Sequence, residues 1–588
     1  MNFWQAFGRA LPRRPVAALA ALYWHVTRRR VRARNRLRLT AAQSPNAYQY
    51  WIEQVEDLTT LRALSGATIA RWKHKPRFSL LLRPPADCPM AEIKRLIASL
   101  DAQFYQQWEL LIISTAEHAP TMRGSRDKRV RLVRPATALP GEALKAAIAE
   151  ATGDLCVPLA LGQSLSPAAL FRLAEAVQDK PDASILYGDE DRLLAGRRSR
   201  PWFKPQWDEE MFLAQDYLSS ACAVDLALAT EVASELRDAG EAAEGDFLLR
   251  AARAAPGPIV HVPHILAHVP LAAILASQPE RSAAVANFLA PEAAAAIPGA
   301  FGSVRVVWPL PSPPPTVAII IPTRDEAALL KACVESVLTA TRYPRFELIV
   351  VDNGSSTPEA LAYLSHLDSL ANVRVLRYDH PYNYSAINNF AAAHATAPYM
   401  CLLNNDTEVV EPEWLTEMMR YAVRPDVGAV GAMLLYDDGT IQHAGVVIGI
   451  CEAAGHAHRF ERRDAAGYFA QPHIARRVSA VTAACLVVER AKFEAVGGLD
   501  EDGLAIAYND VDLCLKLDQA GWRNIYVPHA VLIHHESKSR GQDMAPANIE
   551  RYRRELAVLQ ERWGTRTYAD PRFNPNLDRY SETFILRV

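Results

Sequence analysis

Between Thr316 and Asp406 the sequence alternates apolar runs with helical patterns, and every run ends on polar or acidic residues. The first, TVAIIIPTRDE, is unbroken from Val317 to Ile321 and stops at Pro322, Thr323, Arg324 and Asp325. A helical pattern follows (LLKACVESVLTAT), then FELIVVDNGS, which ends on Asp352, Asn353 and Gly354. A third run, YMCLLNNDTEV, ends on Asn404, Asn405 and Asp406. Short apolar runs bounded by turn residues read as strands buried on both faces of a parallel sheet. Strand, helix and strand in repetition dictate an open α/β sheet, whose ligands bind at the carboxyl edge of the strands.

The same pattern occurs earlier in weaker form. FSLLLRPPAD resembles TVAIIIPTRD, WELLIIST resembles FELIVVDN, and VHVPHILAH (260–268) resembles IYVPHAVLIHH (525–535). The scaffold repeats, but its chemistry does not. Ser114 stands where the later copy has Asp352, and Ala160, Leu161 and Gly162 stand for Asn404, Asn405 and Asp406. A divalent cation has no carboxylate to bind there. Glu244, Asp246, His268 and the acidic run Asp189, Glu190 and Asp191 read as solvated loop charges. At 588 residues the chain exceeds one ordinary core. The expected order is a basic, mainly helical region over 1–77, a degenerate α/β domain over 78–270 and a Pro/Ala-rich spacer over 271–315. A site-bearing α/β domain over 316–541 and a C-terminal helix and tail over 542–588 complete it. The tail is expected to fold back onto the site-bearing domain.

Charge in the first forty positions is almost all arginine: Arg9, Arg13, Arg14, Arg28, Arg29, Arg30, Arg32, Arg34, Arg36 and Arg38. Between the clusters lies PVAALAALYW, about half the roughly 20 residues of a membrane-spanning helix. No small-residue cleavage site follows, so a secretory signal is not expected. With Trp4, Tyr23 and Trp24 the segment reads either as peripheral to an anionic membrane or as a solvated helix packed on the domains behind it. Net charge of −2 points away from nucleic acid. The 8 cysteines form no C-x-x-C pair, and several sit in apolar runs. That is the usage of reduced core thiols, giving an expectation of cytoplasmic location, peripheral at the inner membrane face where the basic segment binds.

In the later copy Asp406 can supply a carboxylate to a hard cation, with Asn404 or Asn405 offering an amide to ribose or water. A plain strand-to-loop turn also uses these residues. Asp352 can accept from a pyrimidine N–H or a ribose hydroxyl, or cap a turn. Asn509, Asp510 and Asp512 open a helix, and two residues apart on a helix Asp510 and Asp512 cannot share a face. Asp510 is the candidate general base, with Asp512 as support. His534 and His535 follow an apolar strand, where one imidazole can bind metal or phosphate or serve structure alone. Asn383, Tyr384, Ser385, Asn388, Asn389, Gln442, His443, His456 and His458 lie in polar loops that can read a sugar or brace the fold.

The motifs PTRD (322–325), VDNGS (351–355), NYSAINN (383–389), LNND (403–406), SAVTAACLVV (479–488), GGLDE (497–501), NDVD (509–512) and IHHES (533–537) together resemble a family-two glycosyltransferase of the GT-A fold. With a weaker copy in front, the chain is similar to bacterial tandem glycosyltransferases of O-antigen and other surface-polysaccharide synthesis, some of them rhamnosyltransferases. The resemblance implies two tandem Rossmann-like GT-A domains, each a mostly parallel sheet flanked by helices, the first degenerate. It implies an inverting transfer from a nucleotide-sugar donor to a glycan or lipid-linked acceptor. Pro322, Thr323, Asp325, Asp352, Asn353, Asn389, Asn404 and Asn405 would hold the nucleotide. Asp406, with His534 or His535, would bind a divalent metal (manganese or magnesium), and Asp510 would be the catalytic base. Asn509, Asp512 and His443 would support it or meet the acceptor. The acidic triplet common in that family is here Asn404-Asn405-Asp406, with one carboxylate.

Two rivals stand beside this reading. One is a non-catalytic carbohydrate-binding scaffold with both copies degenerate. The other is a processive synthase, whose Q-x-x-R-W signature is only approximated by Gln560, Arg562 and Trp563 and reads as chance on a helix.

Overall fold

The computed structural model describes residues 46–85, 88–114, 127–236, 240–270, 278–535 and 548–587, with scattered positions before 46. Of the N-terminal arginines, Arg14 is described, and Arg9, Arg13 and Arg28 to Arg38 lie outside the described residues. The chain divides into two compact units. The first comprises Met1–Val306, Asn574–Asp578 and Ile585–Val588, and the second Val307–Phe573 and Arg579–Phe584.

The first unit opens with helix α1 (Pro15–Val26) and is built on strands β1 (Phe78–Leu82), β2 (Trp108–Ile113), β3 (Val130–Val133), β4 (Leu155–Leu159) and β5 (Ser164–Leu165). Its later strands are β6 (Ile185–Leu194), β7 (Arg197–Trp202), β8 (Cys222–Asp225) and β9 (Ile259–Pro270). They form one sheet in the order β3-β2-β1-β4-β8-β6-β9-β5, with β7 on β6. β10 (Ala295–Pro298) and β11 (Val304–Val307) make a separate ribbon. The stretch expected as an extended spacer therefore differs from that reading. It carries a helix (Gln278–Phe288) and this ribbon, because its Ala-rich part has an apolar face that packs, burying Ala284, Val285 and Leu289.

The GDED acids also depart from expectation. They lie inside β6, not in a loop, and Asp189 and Asp191 are fully buried. Burial of charge requires partners, and each acid has them. Asp189 accepts from Lys204 N (2.8 Å), faces His261 Nε2 (2.8 Å) and accepts from Asn574 Nδ2 (3.0 Å). Glu190 is held by Arg192, Ser220 and Lys204 Nζ. Asp191 accepts from Tyr48 Oη (2.6 Å) and pairs with Arg198 Nε and with His268 Nδ1 (2.7 Å). Burial alone would raise the Asp191 carboxyl, but His268 and Arg198 hold it below the usual carboxylate range. His268 thus serves a structural ion pair. Asn574 shows that part of the tail belongs to this unit, while the stretches up to 573 and over 579–584 belong to the second one.

The second unit carries β12 (Val317–Thr323), β13 (Phe346–Asp352), β14 (Val373–Arg377), helix α2 (Tyr384–His394), β15 (Tyr399–Leu403), β16 (Thr407–Val409) and β17 (Val427–Leu435). Next come β18 (Ile441–His443), β19 (Val446–Ile448), β20 (Ala454–His456), β21 (Arg476–Val478) and β22 (Cys485–Glu489). Helix α3 (Asn509–Gln519), β23 (Arg523–His534) and helix α4 (Ile549–Trp563) complete it. The sheet order is β14-β13-β12-β15-β22-β17-β23-β16, with β18 on β17 and β21 on β23. Strand for strand, this is the order of the first unit's sheet. β12 and β17 are buried along their whole length, the pattern of strands covered on both faces. β22 runs antiparallel between β15 and β17, so its start at Cys485 meets the end of β15 at Leu403.

Candidate active site

Register brings the polar residues together. β12 pairs with β13 so that Thr323 lies beside Asp352, and β16 pairs with β23 so that Thr407 lies opposite His534. Asp406, just before β16, is thereby set against the end of β23, where its carbonyl accepts from His535 N (2.9 Å).

Asp406 is buried, and its Oδ1 lies 3.2 Å from His534 Nε2 without the alignment of a hydrogen bond. The tautomer of His534 follows from its other nitrogen. Gln442 Nε2 donates to the His534 carbonyl (3.3 Å), which leaves Gln442 Oε1 to accept from His534 Nδ1–H at 2.6 Å. Nε2 of the neutral ring then carries a lone pair, and Asn404 Nδ2 sits 3.2 Å from it as a donor. A carboxylate oxygen and an imidazole lone pair converge with no proton between them, the chemistry of two metal ligands. Among the described residues no cluster of three His, Cys, Asp or Glu side chains forms a complete metal cage. Two protein ligands suit a cation that takes its remaining oxygens from phosphate and water.

His535 does not join them. Its Nε2 meets Glu408 Oε1 at 2.9 Å and its Nδ1 meets Asp437, so both nitrogens are committed to carboxylates. The alternation of side chains along an extended segment sends neighbours to opposite faces, which is why only one of the two histidines reaches Asp406.

Asp510 enters from the start of α3. Its Oδ2 accepts from Ala483 N (3.0 Å) and its Oδ1 from Val511 N (2.8 Å), and the residue stays half-buried. Asn404 N donates to the carbonyl of the next residue, Ala484 (3.1 Å). Ala483 and Ala484 therefore join the β15 end to the candidate base through two adjacent residues. Tyr508, two residues before Asp510, is left-handed at φ 63, a strained conformation for a non-glycine. Glu555 of α4 holds this strained approach by accepting from Ile506 N (3.1 Å) and Ala507 N (3.0 Å).

Asp512 is fully buried and faces away from Asp510, as their spacing required. It accepts from Arg562 Nη1 (2.8 Å) and Trp563 Nε1 (2.9 Å), tying α4 beneath α3. The Gln560, Arg562, Trp563 cluster, which reads as chance in the sequence, is a built contact, with Gln560 Nε2 on the Glu452 carbonyl (3.0 Å). Asn509 bonds back to the Ile506 carbonyl (3.1 Å). His443 is fully buried: Nδ1 donates to the Ala432 carbonyl (2.8 Å) and Nε2 accepts from Thr482 N (3.3 Å). It braces the segment beneath Asp510 and has no surface to offer an acceptor. Burial, then neighbouring His456, drives its pKa well below the ordinary value.

The nucleotide candidates divide. Asn405 Nδ2 donates to Thr323 Oγ1 (3.1 Å), joining the β12 and β15 ends. Asp352 accepts from Ser355 N (2.8 Å) and pairs with Arg377. Asn353 donates to the Tyr378 and His380 carbonyls at 3.0 and 2.8 Å, while its buried Oδ1 has no partner. Pro322 is buried within β12, beside Val351 of β13. Asp325, left-handed at φ 57, accepts from Ser356 N (2.6 Å) and Thr357 N (2.9 Å); these bonds hold its carboxyl below the usual range, and its work is to fix the β13 turn. Asn389 is spent on Leu499 and Glu501, with three hydrogen bonds that pin the GGLDE loop against α2. Arg377 and Glu555 escaped sequence reasoning: Arg377 ends β14 without an acidic or amide neighbour to mark it, and Glu555 lies on α4, far in sequence from the residues it holds. Only the near-match at 560–563 gave a signal for α4.

Residues 313–557 match the model of glycosyltransferase-like family 2. Over 552 residues the chain is 39% identical to an uncharacterised protein of Sinorhizobium fredii, covering 89% of this chain and 60% of that protein. It is 35% identical over 533 residues to the O-antigen biosynthesis protein RfbC of Myxococcus xanthus, covering 87% of this chain and 41% of RfbC. An N-acetylglucosaminyl-diphospho-decaprenol L-rhamnosyltransferase of Mycobacterium tuberculosis is 28% identical over 259 residues, covering 39% of this chain and 78% of that protein. The chain thus spans between two fifths and three fifths of the length of the first two relatives.

Proposed function

We propose, from the premise that residues 313–557 are a glycosyltransferase-like family 2 domain, that the chain transfers a sugar with inversion from a nucleotide-diphosphate donor. The acceptor in this reading is a glycan or lipid-linked sugar of bacterial surface-polysaccharide synthesis, as the O-antigen and rhamnosyltransferase relatives suggest. The observation that carries it is the convergence of Asp406 Oδ1 and His534 Nε2, linked through Ala483 and Ala484 to Asp510.

A manganese or magnesium ion held by Asp406 and His534 would supply positive charge against a leaving diphosphate. The orphaned Asp406 oxygen and the fixed tautomer of His534 fit such an ion. The chain's own groups do the rest. Asp510 takes the proton from the acceptor hydroxyl as that oxygen bonds to the anomeric carbon and the bond to the diphosphate oxygen breaks. Its two backbone hydrogen bonds fix the carboxylate's direction, and its partial exposure leaves lone pairs for the acceptor. Positioned base catalysis contributes about 10²–10⁴-fold. Asp352 and the unpartnered Asn353 Oδ1 at the β13 end offer acceptors to the N–H groups of a base or to ribose hydroxyls. The repeated strand order supports reading 78–270 as a sister domain without the cation ligands, in a structural, acceptor-holding or assembly role.

The test is a nucleotide-sugar panel with purified protein, with and without manganese, beside Asp406→Ala. Metal-stimulated binding and slow hydrolysis of one donor, both lost in the variant, is the expected result. Failure of every nucleotide to bind with metal present would turn the assignment toward a carbohydrate-binding scaffold.

A further inference from the structure

Helix α1 has two unlike faces. Ala17, Ala18 and Ala21 are buried, the last two packed with Leu37 and Phe7. On the other side Val16 is 80% exposed, Leu19 54%, Tyr23 63% and Val26 72%. At about 100° per residue these four fall within an arc of about 80°. Scattered exposed apolar residues are ordinary, whereas a continuous stripe of four on one helix face signals a cover. Trp4, 61% exposed, sits edge-on to His25 at 5.8 Å and extends the aromatic character of the helix's last turn.

Charge identifies the cover. Arg9, Arg13 and Arg14 precede the helix in sequence and Arg28, Arg29, Arg30, Arg32, Arg34, Arg36 and Arg38 follow it, and the first acidic residue of the chain is Glu53. A protein partner would need to be both apolar and acidic over this stretch. A bilayer rich in anionic lipid presents that combination everywhere, with an apolar interior under a negative surface. The helix has 12 residues, about 18 Å of rise, against a hydrocarbon layer of about 30 Å. No helix among the described residues is long and apolar enough to cross a membrane. The geometry therefore suits a helix lying in the plane of the interface, with tyrosine and tryptophan at headgroup depth.

We propose that α1 docks the chain on an anionic lipid surface, inserting Val16, Leu19, Tyr23 and Val26 while the flanking arginines neutralise headgroups. This inference stands apart from the glycosyl-transfer reading, since it concerns a different surface and is read without donor or acceptor.

The experiment is vesicle co-sedimentation of the full chain, using phosphatidylcholine alone and phosphatidylcholine mixed with phosphatidylglycerol. Partition into the mixed vesicles, weakened by salt, and little into the neutral ones is expected. Val16→Asp with Leu19→Asp should lower that partition at least about tenfold. Both side chains point outward, so circular dichroism and the melting temperature should stay as in the parent. Equal partition of parent and double variant would overturn the proposal, as would no binding to anionic vesicles. A change of oligomeric state in the variant, with vesicle binding intact, would also overturn it by assigning the stripe to a second copy of the chain.

Discussion

Asp510 and His534 are both partly buried, and their hydrogen-bond partners set what each can do. Asp510 is half-buried with its carboxylate aimed by two backbone N–H groups, so Asp510→Asn keeps the shape and removes only the proton acceptor. Turnover should fall at least about 10²-fold with nucleotide affinity retained. Wild-type-like turnover in a transfer assay would dismiss Asp510 as the base. The neighbouring histidines make a sharper contrast. His534→Ala removes the lone pair facing Asp406 and should weaken manganese binding about 10–100-fold in calorimetry. His535→Ala, whose partners are Glu408 and Asp437, should leave manganese affinity close to that of the parent. Equal losses in both variants would show that the site is held together otherwise.

At the scale of elements, Asp510, the proposed base, is positioned by close packing between β17 and the segment leading into β22. A Cβ built on Gly431 of β17 would lie 2.5 Å from Val481 Cβ, inside any real contact. Val481 precedes Thr482 and Ala483, which bond to His443 and Asp510. Gly431→Ala should therefore push this segment away from its hydrogen bonds. We expect a stability loss of about 1–3 kcal/mol by denaturant titration, together with a drop in turnover that leaves manganese affinity unchanged. An unaltered melting curve would show that the strand absorbs the methyl group. The α3–α4 clamp obeys the same logic from the other side, with Asp512 and Glu555 holding the helix start against its strained approach.

For the whole molecule, buried histidines set a pH limit. His443 and His458 are fully buried, and burial lowers both pKa values in the folded state. The unfolded chain, with histidines near 6.5, binds more protons than the fold once pH drops below about 6.5. Stability should then fall as pH falls through that region and be fully present above it. Asp570, raised by burial, works the other way by gaining stability on protonation, and its effect is confined to the range above its unfolded value. His458 stacks flat on Phe584 at 4.4 Å, so a phenylalanine fits its place. His458→Phe should flatten the pH dependence of the melting temperature between about pH 7 and pH 5.5. A slope identical to that of the parent would locate the acid sensitivity elsewhere.

The sequence by itself determined the α/β class, the strands that end on Thr323 and Asp352, the strand that leads into Asn404-Asn405-Asp406, the repeat of the pattern in the first half, and Asp510 at a helix start. These are local facts, since apolar runs and helical periods lie within a few residues of one another. Only tertiary structure decided which polar groups meet. Register chose His534 over His535 as the neighbour of Asp406. Long-range hydrogen bonds engage Asp325, Asn389 and His443 with other segments of the fold, which no local pattern announced. The same cause turned the GDED run from surface charge into a buried network, because Tyr48, Arg198, Lys204, His268 and Asn574 lie too far away in sequence to be seen as partners. A side chain's type and spacing announce what chemistry it can perform. Whether its lone pairs remain free for that chemistry is settled by neighbours that folding alone supplies.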